Sequence, residues 1–147
     1  MKKETTPTYI LTLLLKTQID EENIINKRLG IARNISNSLT GVVLRRYNLM
    51  LERKEYRKIK KQLNPINKKY HVFVDKKHNK ELNSQRKELY SQLDTLYLKC
   101  GMSQYSLYKD VKQMYKHFKN NIGSLESQAI ADRVWSKFNK LLKGTAN

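Results

Sequence analysis

From Asp20 onwards the large apolar residues of this chain recur at three-to-four spacing, a period that suits amphipathic helices and not strands. Asp20, Glu21 and Glu22 stand where the positive end of a helix favours acids, and Ile24, Ile31, Ile35, Leu39 and Val42 follow on one face. The pattern predicts one long helix running to about Leu63, where Pro65 lacks an N–H and turns Asn64 away from helical angles. Gly30 and Gly41 lie inside it, each costing about 1 kcal/mol against Ala, so a kink or break is expected near one of them. Leu82, Leu89, Leu93 and Leu96 with a stop at Gly101 predict a second helix. A third starts at the Ser103 cap and carries Leu107, Val111, Met114, Tyr115 and Phe118. A fourth is capped by Ser124 or Ser127, faces Ala131, Val134, Trp135, Phe138, Leu141 and Leu142 inward, and stops at Gly144. The fold class expected is therefore mainly α, a bundle of about four helices with one long N-terminal member.

One short strand is expected ahead of the bundle. "TPTYILTLLLKT" alternates loosely, follows Pro7 and is too brief to stand as a helix. A single strand makes no sheet, and "YHVFVD", residues 70–75, is the one weaker second candidate. Residues 1–17 are thus read as an incomplete barrel-type strand, 18–143 as a helical domain with a polar, basic connector at 64–80, and 144–147 as a tail. The apolar run at 9–15 is too short to span a bilayer, and Lys16, Asp20 and Glu21 follow it without a cleavage site. With Cys100 as the only cysteine no internal disulfide forms, and a cytoplasmic location is expected.

Charge narrows the partner. Lys and Arg number 30 against 13 acids, a net charge of +17, and between Arg45 and Tyr90 the count is 15 against 5. A one-signed cluster of that size steers a phosphate backbone and binds it by releasing counterions. The candidate contacts are Arg45, Arg46, Arg53, Lys54, Arg57, Lys58, Lys60, Lys61, Lys68, Lys69, Lys76 and Lys77. The competing reading is a solvated, solubilising face.

The residues that chemistry would need are scattered. The acids fall mostly three or four residues from a Lys or Arg, as helix-surface pairs do, rather than in a metal-holding group. His71, His78, His117 and Cys100 lack zinc-type spacing, and the 5 glycines are spread singly, without a phosphate loop. No enzyme activity and no cofactor or metal are expected. "GMSQYSLYKDV", Gly101 to Val111, has the turn, cap and exposed polar front of a helix-turn-helix second helix, which makes Tyr105, Lys109 and Lys112 candidate contacts in a DNA groove. Tyr105, Tyr108 and Tyr115 stand close to lysines as base-stacking residues do, although core-edge packing explains Tyr108 and Tyr115 equally well. Arg133, inside an otherwise apolar helix, is expected to be at least half-buried and to hold a carboxylate or a phosphate.

Several pieces, taken in order, resemble the N-terminal part of the TnpB (OrfB) proteins of insertion-sequence transposons, RNA-guided nucleases related to type V CRISPR effectors. They are "TYILTLLLKT", "ARNISNSLTGVVLRRYNLMLERKEYRKIKK", "RKELYSQLD", the Ser-Gln-Tyr-x-Leu start at 103–107, and "SQAIADRVWSKFNKLLKG". The last is the most specific, and the order extends over nearly the whole chain. The resemblance implies a wedge-barrel strand followed by an inserted recognition domain that cradles guide RNA or an RNA–DNA hybrid. The RuvC-like acidic residues and zinc cysteines that a Mg-dependent endonuclease of that family carries are absent here, so a truncated or split protein is expected, its nuclease half supplied separately if at all. The alternatives are a small helix-turn-helix DNA-binding regulator and a helical interaction or decoy protein that interferes with a related nuclease.

Overall fold

The computed structural model describes residues 10–14, 16–72 and 76–144, and among them the fold is helical throughout, with five helices and no strand. Residues 10–14 and 16–18 take no regular structure, so the expected opening strand is not found there; the rest of that segment lies outside the described residues. Ile10, Leu11, Leu13 and Leu14 are exposed, which fits their lack of a neighbouring strand.

Helix α1 spans Ile19–Glu52. Its first turn carries Asp20, Glu21 and Glu22, and the Glu21 carboxylate accepts from the Gln18 N–H at 3.0 Å, satisfying one open donor. Ile35, Leu39, Val43 and Met50 form its buried stripe, whereas Ile24, expected on that stripe, is 59 % exposed.

The long helix does not reach Leu63. It ends at Glu52, and Arg53 takes an extended conformation with ψ 133° before α2 begins at Lys54. Neither Gly30 nor Gly41 interrupts it. The cause lies in the apolar register. A helix turns about 100° per residue, so in an unbroken one Lys54, Arg57 and Lys61 would continue the face of Leu39, Val43 and Met50, and Ile59 and Leu63 would point roughly to the opposite side. The break at Arg53 exchanges the two faces. Arg57 spans the joint: its N–H bonds the Arg53 carbonyl at 3.2 Å and its Nε the Leu51 carbonyl at 3.3 Å, one of those left open at the end of α1.

Helix α2, Lys54–Val72, passes through Pro65, and the connector expected at 64–80 is largely helical. Pro65 is exposed, so the carbonyl deprived of its intrahelical partner faces water. Residues 70–72 are helical, which removes them from the weaker strand candidate; 73–75 lie outside the described residues. Helix α3, Lys76–Lys99, runs back along α2. Ile59 and Leu63 of α2 meet Leu89, Leu93 and Leu96 of α3 in a small cluster of their own.

Helix α4, Gln104–Tyr115, and α5, Ser124–Leu142, pack on each other and on α1. This larger core joins the α1 stripe to Leu107, Val111, Ala131, Val134 and Phe138, with Met102 and Ile122 closing it from the turns. Ser103 caps α4 as its sequence predicts, accepting from the Ser106 N–H at 3.2 Å. Helix α5 is capped differently from expectation: it starts after Gly123, whose N–H donates to the Glu126 carboxylate at 2.6 Å, while Ser127 is buried and donates to the Ser124 carbonyl. Leu141, expected inward, is 42 % exposed. Tyr56, Tyr97 and Cys100 are shared between the two clusters.

An arginine fixes the turn from α3 to α4. Gly101 ends α3 at φ +70°, the left-handed conformation a glycine adopts without Cβ strain, and the Met102 N–H closes back on the Tyr97 carbonyl at 2.9 Å. Arg46 of α1 donates to both Asp110 oxygens, at 2.6 and 3.0 Å, and to the Gly101 carbonyl at 3.2 Å. Both partners are less than a third exposed, so removing one strands the other partly out of water. Asp110→Ala is expected to cost about 2 kcal/mol and to lower the thermal midpoint by roughly 4–8 °C. Chemical denaturation checks this; a midpoint that does not move would show the pair holds nothing together.

Candidate nucleic-acid interface

Helix α2 carries seven cations and one acid. Because Ile59, Leu63 and the half-buried Tyr56 and Ile66 claim one side, the remaining positions must face water. Lys54, Arg57, Lys58, Lys61, Lys68 and Lys69 are all exposed and share one face, spaced as successive turns require. Continuation of the helix through Pro65 is what brings Lys68 and Lys69 into register with the rest. The stripe covers about 22 Å at 1.5 Å per residue. None of its cations is in an ion pair among the described residues. Arg57, although it bonds the Leu51 carbonyl through Nε, keeps further guanidinium donors.

The other expected contacts fall in different places. Arg45 is exposed on α1, and Arg53 is exposed at the α1–α2 joint. Arg46 is half-buried, with its guanidinium engaged by Asp110 and by the Gly101 carbonyl. Lys60 is half-buried on the flank of α2, its ammonium 5.7 Å from the centre of the Tyr56 ring. Lys76 and Lys77 open α3, and their side chains lie outside the described residues. Tyr105, 69 % exposed, and Lys109 and Lys112 share the outer face of α4, with the Lys109 ammonium 4.8 Å from the Tyr105 ring centre. Arg133 is exposed rather than half-buried, since Ser127, Ala131, Val134 and Phe138 occupy the opposite side of α5.

Several acids outside α2 are already engaged. Glu126 receives the Gly123 N–H and, at 3.0 and 3.1 Å, the Arg28 guanidinium; the first bond and then the second hold its carboxyl below the usual range. Asp132 accepts from the Tyr108 hydroxyl and, at 2.7 Å, from Gln104, and these bonds hold it below its ordinary value, while its bond with Tyr108 pushes that hydroxyl up. Tyr108 is therefore a tie between α4 and α5 and not a free stacking residue. With Asp110 bound to Arg46 as well, these carboxylates are engaged away from the α2 stripe. Among the described residues no three His, Cys, Asp or Glu side chains come together as a metal site would require, and no helix is long and apolar enough to cross a membrane.

Comparison with protein families, with curated proteins and with solved structures finds no match to this chain.

Proposed function

We propose that this chain binds RNA, or an RNA–DNA hybrid, through the cationic face of α2, and that it does so as the recognition domain of a TnpB-like RNA-guided nuclease. The observation that carries the reading is the stripe from Lys54 to Lys69: six exposed cations on one face of a helix whose other face is packed on α3. A row of charges reads backbone and shape rather than sequence, which is what holding a hybrid requires. The chain acts by binding and not by catalysis, and a cytoplasmic location goes with that role.

The outer face of α4 supports the second reading, a DNA-binding helix that presents Tyr105, Lys109 and Lys112 to a major groove. Against it, α4 packs on α5 and α1 rather than forming a compact unit with the helix before it. Competition at matched salt between a structured RNA and duplex DNA of equal charge separates the two. The α2 reading expects RNA to win by roughly tenfold or more; a clear preference for duplex DNA selects the α4 reading, and no binding of either at low salt overturns both.

A further inference from the structure

Beside the cationic stripe, α1, α2, α3 and α5 leave a groove of about 670 Å³ between them. Five aromatic rings line it: Tyr47, Tyr56, Tyr90, Tyr97 and Trp135, the only tryptophan of the chain. Most such rings in a small helical protein close a core, yet here they stay half-buried, and Tyr90 is 38 % exposed. The hydroxyls of Tyr47, Tyr56 and Tyr97 make no hydrogen bond among the described residues. Burial first, and the neighbouring tyrosines second, push the Tyr97 hydroxyl above its ordinary range, and Tyr56 likewise. Each therefore stays a neutral O–H that both donates and accepts. Asp94 and Lys60 add an acceptor and a cation at the rim.

Flat apolar walls with a few convergent polar groups are what a planar heterocycle needs, and the volume falls in the range that holds a molecule of nucleoside size or larger. The neighbourhood selects which heterocycle. Lys60 lines the groove and belongs to the helix whose adjoining face is the phosphate stripe, and Arg86 lies over the Tyr90 ring at 5.5 Å. The aromatic groove therefore adjoins the face of α2 that carries the stripe, through Tyr56 and Lys60.

We propose that this groove is a stacking site for unpaired bases of the RNA strand whose phosphates lie on α2, an inference that rests on the RNA-binding reading above. Trp135 makes it directly measurable, since a base stacked in the groove quenches its emission. The full chain is titrated with an oligouridylate and with an abasic oligoribonucleotide of equal length, which carries the same phosphates and no bases. Oligouridylate is expected to quench Trp135 and to bind roughly tenfold more tightly than the abasic strand. Tyr90→Leu is expected to remove most of that advantage and leave abasic binding unchanged, and Tyr90→Phe, which keeps the ring, to retain it. Equal affinity for both strands, with no quenching, would overturn the groove and leave the stripe standing. Binding of neither strand would overturn both.

Discussion

Exchanging Lys54, Arg57, Lys58, Lys61, Lys68 and Lys69 together for Gln is expected to leave the helical circular-dichroism signal unchanged and to remove most of the salt dependence of RNA binding. The six side chains are exposed, so their loss opens no cavity, and the buried side of α2, with Ile59 and Leu63, is untouched. Each phosphate contact contributes a slope of about 0.7 to 0.9 in log affinity against log salt, so six contacts give roughly 4 to 5. For the unaltered chain that slope corresponds to a loss on the order of several hundredfold between 50 and 200 mM salt, and for the variant to little loss at all. The effect should be the same across unrelated RNA sequences, because phosphate contacts carry no base information. A variant that kept the full slope would make the stripe a solubilising face and move the interface to Lys109, Lys112 and Lys116.

The helices were legible in the sequence wherever one apolar stripe persisted. Leu89, Leu93 and Leu96, Leu107 and Val111, and Ala131, Val134 and Phe138 are buried as their spacing predicts, and Ser103 caps as its position predicts. The break at Arg53 is visible in the same letters, since the apolar face jumps between Met50 and Ile59, but composition hides it: helix formers fill the whole stretch, and a stripe that changes sides reads as a continuous helix unless its phase is followed. Pro65 misled in the other direction. Proline in a helix interior removes one hydrogen bond, a cost that packing of Leu63 and Ile66 against α3 offsets. The error mattered for the site, because a helix ending at Leu63 leaves Lys68 and Lys69 in a connector, whereas the continued helix lines them up with Lys54. Arg46 and Arg133 show what charge counting cannot supply. Of the adjacent Arg45 and Arg46, only Arg46 faces Asp110, 64 positions away, and only the tertiary fold reveals it; Arg133 sits opposite the buried stripe of α5, whose width the local sequence understates. The aromatic groove was unreadable for the same reason, as its rings come from four helices and meet only in the tertiary fold.

The second large effect expected is on the α2–α3 hairpin. Its cluster of Ile59, Leu63, Leu89, Leu93 and Leu96 is separate from the main core and joined to it through Tyr56, Tyr97 and Cys100. Leu63 is 1 % exposed, so Leu63→Ala loses its transfer energy and leaves a cavity, about 3 kcal/mol in all. In a cluster this small the loss should not spread evenly. Amide exchange in α2 and α3 is expected to accelerate roughly a hundredfold, while α1, α4 and α5, held by Leu39, Leu107 and Phe138, keep their protection. RNA affinity should fall with it although no cation has been changed, because a stripe on a frayed helix no longer holds its charges in register. Hydrogen exchange read by mass spectrometry distinguishes the outcomes. If protection fell by the same factor in all five helices, the hairpin and the three-helix core would be one cooperative unit, and RNA affinity at temperatures well below the midpoint would be unaffected by Leu63→Ala.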